Sequence, residues 1–592
     1  MMLLAQSEKI TNWLTPVWTL STGIGLGFLI VLVIWICFVT CGRIKGINTL
    51  HKTPAGLIVS LILSVALFSV LFFGITYPRG FWAQGDLSAA DWGRQLMLLS
   101  LFFGGGSLIV GFGTIAAVSR KNHSEVSGVL WNGMLYWTSF VSLFAIGFSL
   151  IGMFLAYNDG FGRLLFVEKP DEFFDTLVRL PELGEKRAAF VVEAGTPFGG
   201  ALVEDVAFDG TDLRWIRVKS NQPIELASRP FEDGTRSSDF IDLPASDDFY
   251  TYVKRPDDRD KRFGNEPING IYINNRGDGE AEISISWMIG PKVPESSMVL
   301  WAAFGVVVLY LGYIFLMSGV PKIFAVAQST FKTEVSQPVF LILLLIGCGF
   351  VVVSIYIPYN TFGEDIKMYK DSGLTLIRVL GVFLAVWAAS KSLAEEIEGR
   401  TALTVLSKPV SRRQFILGKY VGIGMTIALL FILIGLIFFI ATSYKPVYDS
   451  GESTVRDFAW QTCHIEAGST VPGMVLAYLE SMIFAAISVV ISTRLGILAN
   501  FLICFAIYIL GHLTPLIVQS AEVAESFEGV VVFGQLISII FPVLDHFDIN
   551  AAITGGVPVP VIYLGWAIVY SGLYGLIALL LALVLFEDRD LA

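Results

Sequence analysis

The sequence predicts a polytopic α-helical membrane protein with about eleven transmembrane helices and one inserted β-rich domain outside the bilayer. Three observations lead there. The 592 residues are 54% hydrophobic and only 15% charged, with a mean hydropathy of +0.68, far from the balance of a soluble chain. Apolar runs of helical length recur along both ends of the chain and stop across one long interval. That interval, residues 158–296, holds 27 acidic against 17 basic residues, a balance of −10 within a total of −11.

A bilayer core of about 30 Å needs roughly 17 to 25 apolar helical residues, because only a helix satisfies its own backbone in lipid. Such runs lie near 19–41, 55–76, 95–118, 129–157, 297–317, 337–358, 374–391, 420–441, 472–493, 496–518 and 561–585. Arg43, Lys45 and Lys52 follow the first run, whereas only Glu8 and Lys9 precede it, so the positive-inside rule sets the amino terminus outside. Propagated along the chain, this orientation gives the inner segments 15 basic residues and the short outer ones seven. It places 158–296 outside and the tail FEDRDLA inside. The run 529–543 is short and broken, and reads as re-entrant or interfacial; a crossing there would break the parity of the last span. No cleavable signal is evident, since its charges would precede a shorter apolar core.

Four regions follow: an amino-terminal four-span region (1–157), the extracytoplasmic domain (158–296), a fifth span (297–317) and a core of one amphipathic helix and six spans (318–592). The outer domain is long enough to bury a core without disulfides. Its short apolar runs, FVVEAG, ALVEDVAFDG, LRWIRVKS and PIELAS, are turn-bounded. IYINNRGDGEAEISISW reads as two alternating strands joined by a hairpin turn. Arg276, Gly277 and Asp278 spell an adhesion-like tripeptide there, but the same residue types suit the turn itself.

Several chemistries are excluded. There is no GxxxxGK[ST] phosphate loop; the glycines at 104–106, 111 and 113 lie in an apolar span, where small residues serve helix packing. The five histidines have no i, i+4 partner or cysteine cluster, so no metal site is expected. The five cysteines show neither zinc spacing nor a disulfide framework, and Cys463 beside His464 reads as a free loop thiol. No basic face suggests nucleic acid.

The loop after the seventh predicted span, EEIEGRTALTVLSKPVSRRQFILGKYVG from Glu395 to Gly422, carries the most information. From Ala394 to Leu406, Ile397, Thr401, Ala402, Val405 and Leu406 recur near helical period, while Glu395, Glu396, Glu398 and Arg400 fall largely on the other face. Such a helix lies at the membrane and offers charge to a cytosolic partner. Pro409 ends it, and Ser411 reads as the N-cap of the next span. The plainer alternative is a basic loop that only sets topology, since Arg412, Arg413 and Lys419 satisfy that rule anyway.

This loop resembles the interface loop of type 2 ABC transporter permeases, with its acid-acid-x-acid run, Arg/Gly/Thr cluster, Lys-Pro-Val-Ser-Arg segment and Leu-Gly-Lys opening the next span. Gly399-Arg400-Thr401 inverts the commoner Arg-Gly order. The likeness continues in order: IFAVAQSTFKTEVSQPVFLILLLI (323–346) resembles the family's elbow helix and first core span, STRLGILANFLICFAIYILGHL its fourth-to-fifth span junction, and FPVLDHFDI to LFEDRDLA its last outer segment, last span and charged tail. It covers about 318–592; residues 1–317 resemble no family.

The resemblance implies the membrane subunit of a bacterial ABC exporter in the cytoplasmic membrane. The chain itself would hold no cofactor and hydrolyse nothing; ATP and Mg would be bound by a separate cytosolic ABC ATPase. A second permease chain, identical or not, would complete a dimer. The ATPase-coupling residues it implies are Glu395, Glu396, Glu398, Gly399, Arg400, Thr401, Lys408, Pro409, Ser411 and Arg412.

Two formal charges sit inside spans, Arg378 and Glu480, with His512 at similar depth in the next span. Charges in hydrocarbon usually face a bundle interior or cavity. They read either as a polar lining or gating pair at the outer end of a substrate path, or as a snorkelling Arg378 beside a structurally paired Glu480. Two rival functions remain at this level. One is a force-transmitting or assembly complex using the same ATPase to act on an extracytoplasmic partner through 158–296. The other is a membrane receptor, which lacks any cytosolic output domain here. Membrane lipids surround the chain in every reading, and the cargo is not legible.

Overall fold

A computed structural model describes residues 12–43, 133–157, most of 184–290, 294–359, 364–394, 410–450, 460–523 and 541–587, with five helical residues between 59 and 65. The predicted spans 55–76 and 95–118, apart from those five, and the loop 395–409 lie outside the described residues. The chain divides into two compact units: Met1–Leu57 with Phe112–Glu168 and Met298–Ala592, and Ile58–Gly111 with Lys169–Ser297.

Described helices of the first unit are α1 (Leu14–Arg43), α2 (Met134–Tyr157), α3 (Ser297–Gly319), α4 (Pro321–Val335), α5 (Pro338–Ser354), α6 (Asp365–Ala389), α7 (Arg412–Ser450), α8 (Trp460–Ser492), α9 (Ile497–Val523), α10 (Asn550–Thr554) and α11 (Val561–Glu587). Seven are long and apolar enough to cross a membrane, or eight with α4 and α5 taken as one bent span. The chain is therefore a multi-pass helical membrane protein.

The elbow has a local cause. Pro321 and Pro338 each open a helix at its first turn, where a missing N–H costs nothing, and the axis turns by 64° between them. α4 then lies along the start of α7 because Gly418 and Gly422 present no side chain: a Cβ on Gly422 would come within 2.6 Å of the Ala327 carbonyl oxygen.

Hydrogen bonds between helix ends establish the alternation. Ser443 Oγ donates to the Trp13 carbonyl, so α1 starts where α7 ends. Trp18 Nε1 donates to Ser149 O, bringing the late part of α2 to that end. Lys445 donates to Ile355 O and Lys370 to Ile553 O, adding the end of α5, the start of α6 and the segment 541–557. At the opposite end Trp387 Nε1 donates to Gln337 Oε1, and Arg412 Nη1 to the carbonyls of Phe586 and Glu587. The two terminal helices thus start and finish at opposite ends of the bundle. Leu544 N donates to Gly511 O within α9, so the chain resumes after 524–540 beside the helix it left.

α7 and α8 exceed the predicted spans, with 39 and 33 residues. At 1.5 Å per residue they are roughly 58 and 50 Å long, well over the bilayer core. The excess is polar but paired: Lys445 meets Asp449 at 2.8 Å, and Glu466 meets Lys370 at 2.6 Å. Hydropathy windows close at such residues, whereas helices need not.

Among its described residues the second unit contains two four-stranded antiparallel sheets, ordered β1-β10-β4-β7 and β2-β9-β5-β6, and a small pair, β3-β8. The strands are β1 Gly184–Val192, β2 Ala201–Val203, β3 Phe208–Asp209, β4 Leu213–Ser220, β5 Ile224–Ala227, β6 Phe240–Leu243, β7 Ser246–Val253, β8 Pro267–Ile268, β9 Ile271–Asn275 and β10 Ala281–Ile289. Alternate residues enter one shared core, among them Ile216, Val218, Leu226, Ile241, Ile273, Ile285 and Trp287. The expected hairpin at 271–287 is corrected. Both strands form, but β9 pairs with β2 and β5 while β10 pairs with β1 and β4. Each buries its alternate side chains in the core between the sheets, which a turn from one sheet to the other permits. Asn275 secures that corner: its Nδ2 donates to Val192 O and Gly279 O, while its Oδ1 accepts from Gly277 N. Arg276 of the adhesion-like tripeptide is ion-paired to Glu225 within the domain.

Candidate functional site

Arg378, Glu480 and His512 sit on α6, α8 and α9, and the structure brings all three together. Arg378 is 4% exposed and Glu480 fully buried. The Arg378 guanidinium makes a two-pronged contact with Asp548, Nη1 to Oδ2 at 2.6 Å and Nη2 to Oδ1 at 3.0 Å. Nη2 also donates to Asn550 Oδ1 at 3.1 Å. This planar pairing is the strong form of a carboxylate contact. On its other side, Arg378 Nε lies 3.6 Å from Glu480 Oε2, and His512 Nε2 lies 3.8 Å from Glu480 Oε1. These are ion-pair distances rather than hydrogen bonds.

Asp548 and Asn550 were not singled out from the sequence, because they lie between two apolar helices rather than within a span. That segment is fastened at several points. Asn550 Nδ2 donates to Asp371 and Thr375 on α6, Lys370 donates to Ile553 O, and Tyr563 donates to His546 O. Gly511 allows the close approach, since a Cβ there would come within 2.6 Å of Leu544. Burial alone would raise the Asp548 carboxyl; the hydrogen bonds and charge of Arg378, with the Asn550 N–H, outweigh it and hold Asp548 below the usual carboxylate range.

A second polar layer lies toward the Arg412 end. Asn500 Nδ2 is within 2.7 to 3.2 Å of Ser390 Oγ, Ser488 Oγ, Ser488 O and Ser492 Oγ, and Cys504 Sγ donates to its Oδ1. Ser390 opens a π-turn, Ser390–Ala394, that leads directly into 395–409. Ser390, Ser492 and Asn500 each stand twelve positions from Arg378, Glu480 and His512 on the same or the continuing helix, so about 18 Å separates the two layers.

Of the predicted coupling residues, Glu395, Glu396, Glu398, Gly399, Arg400, Thr401, Lys408 and Pro409 lie outside the described residues. Ser411 forms a capping box with Gln414: Gln414 N donates to Ser411 Oγ at 3.3 Å and Ser411 N to Gln414 Oε1 at 3.1 Å, which starts α7. Arg412 caps the last carbonyls of α11, a favourable place for a cation. Among the described residues no group of three or more His, Cys, Asp or Glu could hold a metal.

No curated protein matches the chain. Residues 297–591 match the family model of the ABC-2 family transporter protein, whose members are membrane components rather than catalytic ATPases. The matched segment begins at α3 and contains both polar layers, the elbow and the loop 395–409, and this half of the chain is accordingly a type 2 ABC permease domain.

Proposed function

We propose that the chain is the membrane subunit of an ATP-driven exporter, coupled to a separate cytosolic ABC ATPase that binds ATP and Mg. Two permease chains and two ATPases would form the working unit in a bacterial cytoplasmic membrane. The amino terminus and the Lys445 end lie outside in this reading, and the carboxyl terminus and Arg412 end lie inside. Residues 395–412 and the elbow α4 form the ATPase-docking surface. The layer of Arg378, Glu480, His512, Asp548 and Asn550 closes the outer end of the path.

The observation that carries the gate is that one buried guanidinium joins two core helices to the outer segment 541–557. Such an element has two arrangements, fastened and released, and ATP-driven movement of α6 against α8 would select between them. A disulfide between Thr375→Cys and Asn550→Cys, whose wild-type side chains touch at 3.2 Å, tests it. In the reconstituted complex the oxidised lock should abolish transport-coupled ATP turnover, and reduction should restore it. Turnover unaffected by a quantitatively formed lock would remove the gate from the mechanism.

A second reading keeps the ATPase coupling but assigns the work to an extracytoplasmic partner. It is favoured by one observation: the strands within 184–289 have a hydrophobic core of their own and belong to a separate compact unit.

A further inference from the structure

The tautomer of His512 is fixed by its neighbour. Nδ1 stands 3.1 Å from the Tyr508 carbonyl oxygen, which only accepts, so Nδ1 carries the hydrogen and the neutral ring presents a lone pair at Nε2. That lone pair faces Glu480 Oε1 at 3.8 Å. Neither Nε2 nor either Glu480 carboxylate oxygen has a hydrogen-bond partner in this buried place. Two acceptors facing each other away from water are mutually repulsive, and a single proton between them removes the conflict.

The charge count leads independently to the same place. Arg378 supplies one positive charge against Glu480 and Asp548, so the layer carries one uncompensated negative charge unless a proton joins it. Other charged or titratable groups on the elements packed around α8 do not balance it. From α6 comes Arg378 itself, with Lys370 already paired to Glu466 of α8. α9 contributes Tyr508 and His512. The segment 541–557 contributes Asp548 together with Asp545 and His546, the latter against Tyr570. Asp371 of α6 accepts from Asn550 Nδ2, adding negative charge rather than balancing it. In α7, Lys445 is paired to Asp449, and Lys419 lies over the Phe415 ring toward the Arg412 end, away from this layer. Tyr570 of α11 accepts from Val543 N and stands beside Tyr574. α1 has no charge before Arg43.

We propose that Glu480 and His512 together form a proton-binding site that takes up one proton, held either on a Glu480 carboxylate oxygen or on His512 Nε2. The proton arrives from solvent and returns to it, and no other bond changes. With the proton present the layer is neutral and Arg378 is left to Asp548. When it leaves as pH rises, Glu480 competes for Arg378 and the hold on Asp548 weakens. This consequence rests on the gate proposed above, whereas the proton site does not.

The test uses the full chain in lipid nanodiscs. Infrared difference spectra between pH about 6 and about 8, the range in which histidine titrates, should show one buried carboxylic-acid or imidazolium signal lost at the higher pH. It should vanish in both Glu480→Gln and His512→Asn. A wild-type spectrum without this signal, or one that survives both substitutions, overturns the proposal. If Glu480→Gln does not fold, His512→Asn alone decides. A second measurement separates the gate: thiol labelling of Ala551→Cys, normalised to Val557→Cys in a chain with its native cysteines replaced, should rise with pH in the wild-type background and stay flat in His512→Asn. The infrared signal with flat labelling upholds the proton site and sinks the gate.

Discussion

At the scale of residues, the energetic question is what Arg378 does for the fold. Exposed ion pairs contribute little, but removing one partner of a buried pair costs roughly 3 to 5 kcal/mol, because the other charge stays behind without water. Arg378→Leu leaves Glu480 fully buried and should lower the thermal midpoint most. Asp548→Asn should cost less, about 1 to 2 kcal/mol, since the Asp548 side chain is 36% exposed and solvent screens part of the contact. Arg378→Met with Glu480→Leu should recover much of the single-variant loss, as apolar replacement of a buried pair often does. The acid limb has a definite sign. Asp548 is held below its ordinary range, so its own ionisation supports the contact above about pH 4 and this support is lost as pH falls through the folded value. Thermal unfolding against pH should show a shallower acid limb in Asp548→Asn. An unchanged limb would mean that the Arg378–Asp548 contact adds nothing to stability.

At the scale of elements, the loop 395–409 connects the π-turn at 390–394 to the start of α7 along the chain, and Asn500 ties that π-turn to α8 and α9. In the proposed coupling, a pull on that loop would reach three core helices through one polar junction. Charge reversal at Glu396 and Glu398 should leave the chain in the membrane but lower ATPase copurification and uncouple hydrolysis by tenfold or more, about 1.4 kcal/mol or above. Copurification and turnover at wild-type level would return this loop to a purely topogenic role. The described spans, the elbow and the N-cap at Ser411 were legible because hydropathy, proline and capping act within one stretch of chain. The Ser390–Asn500 and Arg378–Asp548 contacts join residues 110 and 170 positions apart, and no local period encodes them. The supposed hairpin at 271–287 misled for the same reason: alternation reports which side chains are buried, not which strand lies alongside. A signal for the Arg378 site did exist in the acidic and amide residues of DHFDIN, unusual company for a segment between two apolar helices.

At the scale of the whole molecule, the issue is whether the acidic domain is part of the transport path or a module grafted beside it. Its strands bury Ile, Val and Trp side chains against one another, and it lies in a different compact unit from both polar layers. The permease family match begins only at residue 297. A fold hosts functions through sites added to it, so deleting 165–290 with a short Gly/Ser bridge should preserve membrane insertion and ATPase association. The two proposed functions then diverge. An exporter should retain most of its substrate-stimulated ATP turnover in vesicles, because the layers on α6, α8 and α9 are intact. A complex acting on an extracytoplasmic partner should keep basal turnover and lose its activity outright. Loss of ATPase association would contradict both, because it would make residues 165–290 necessary for a docking surface that both readings assign to the permease half of the chain.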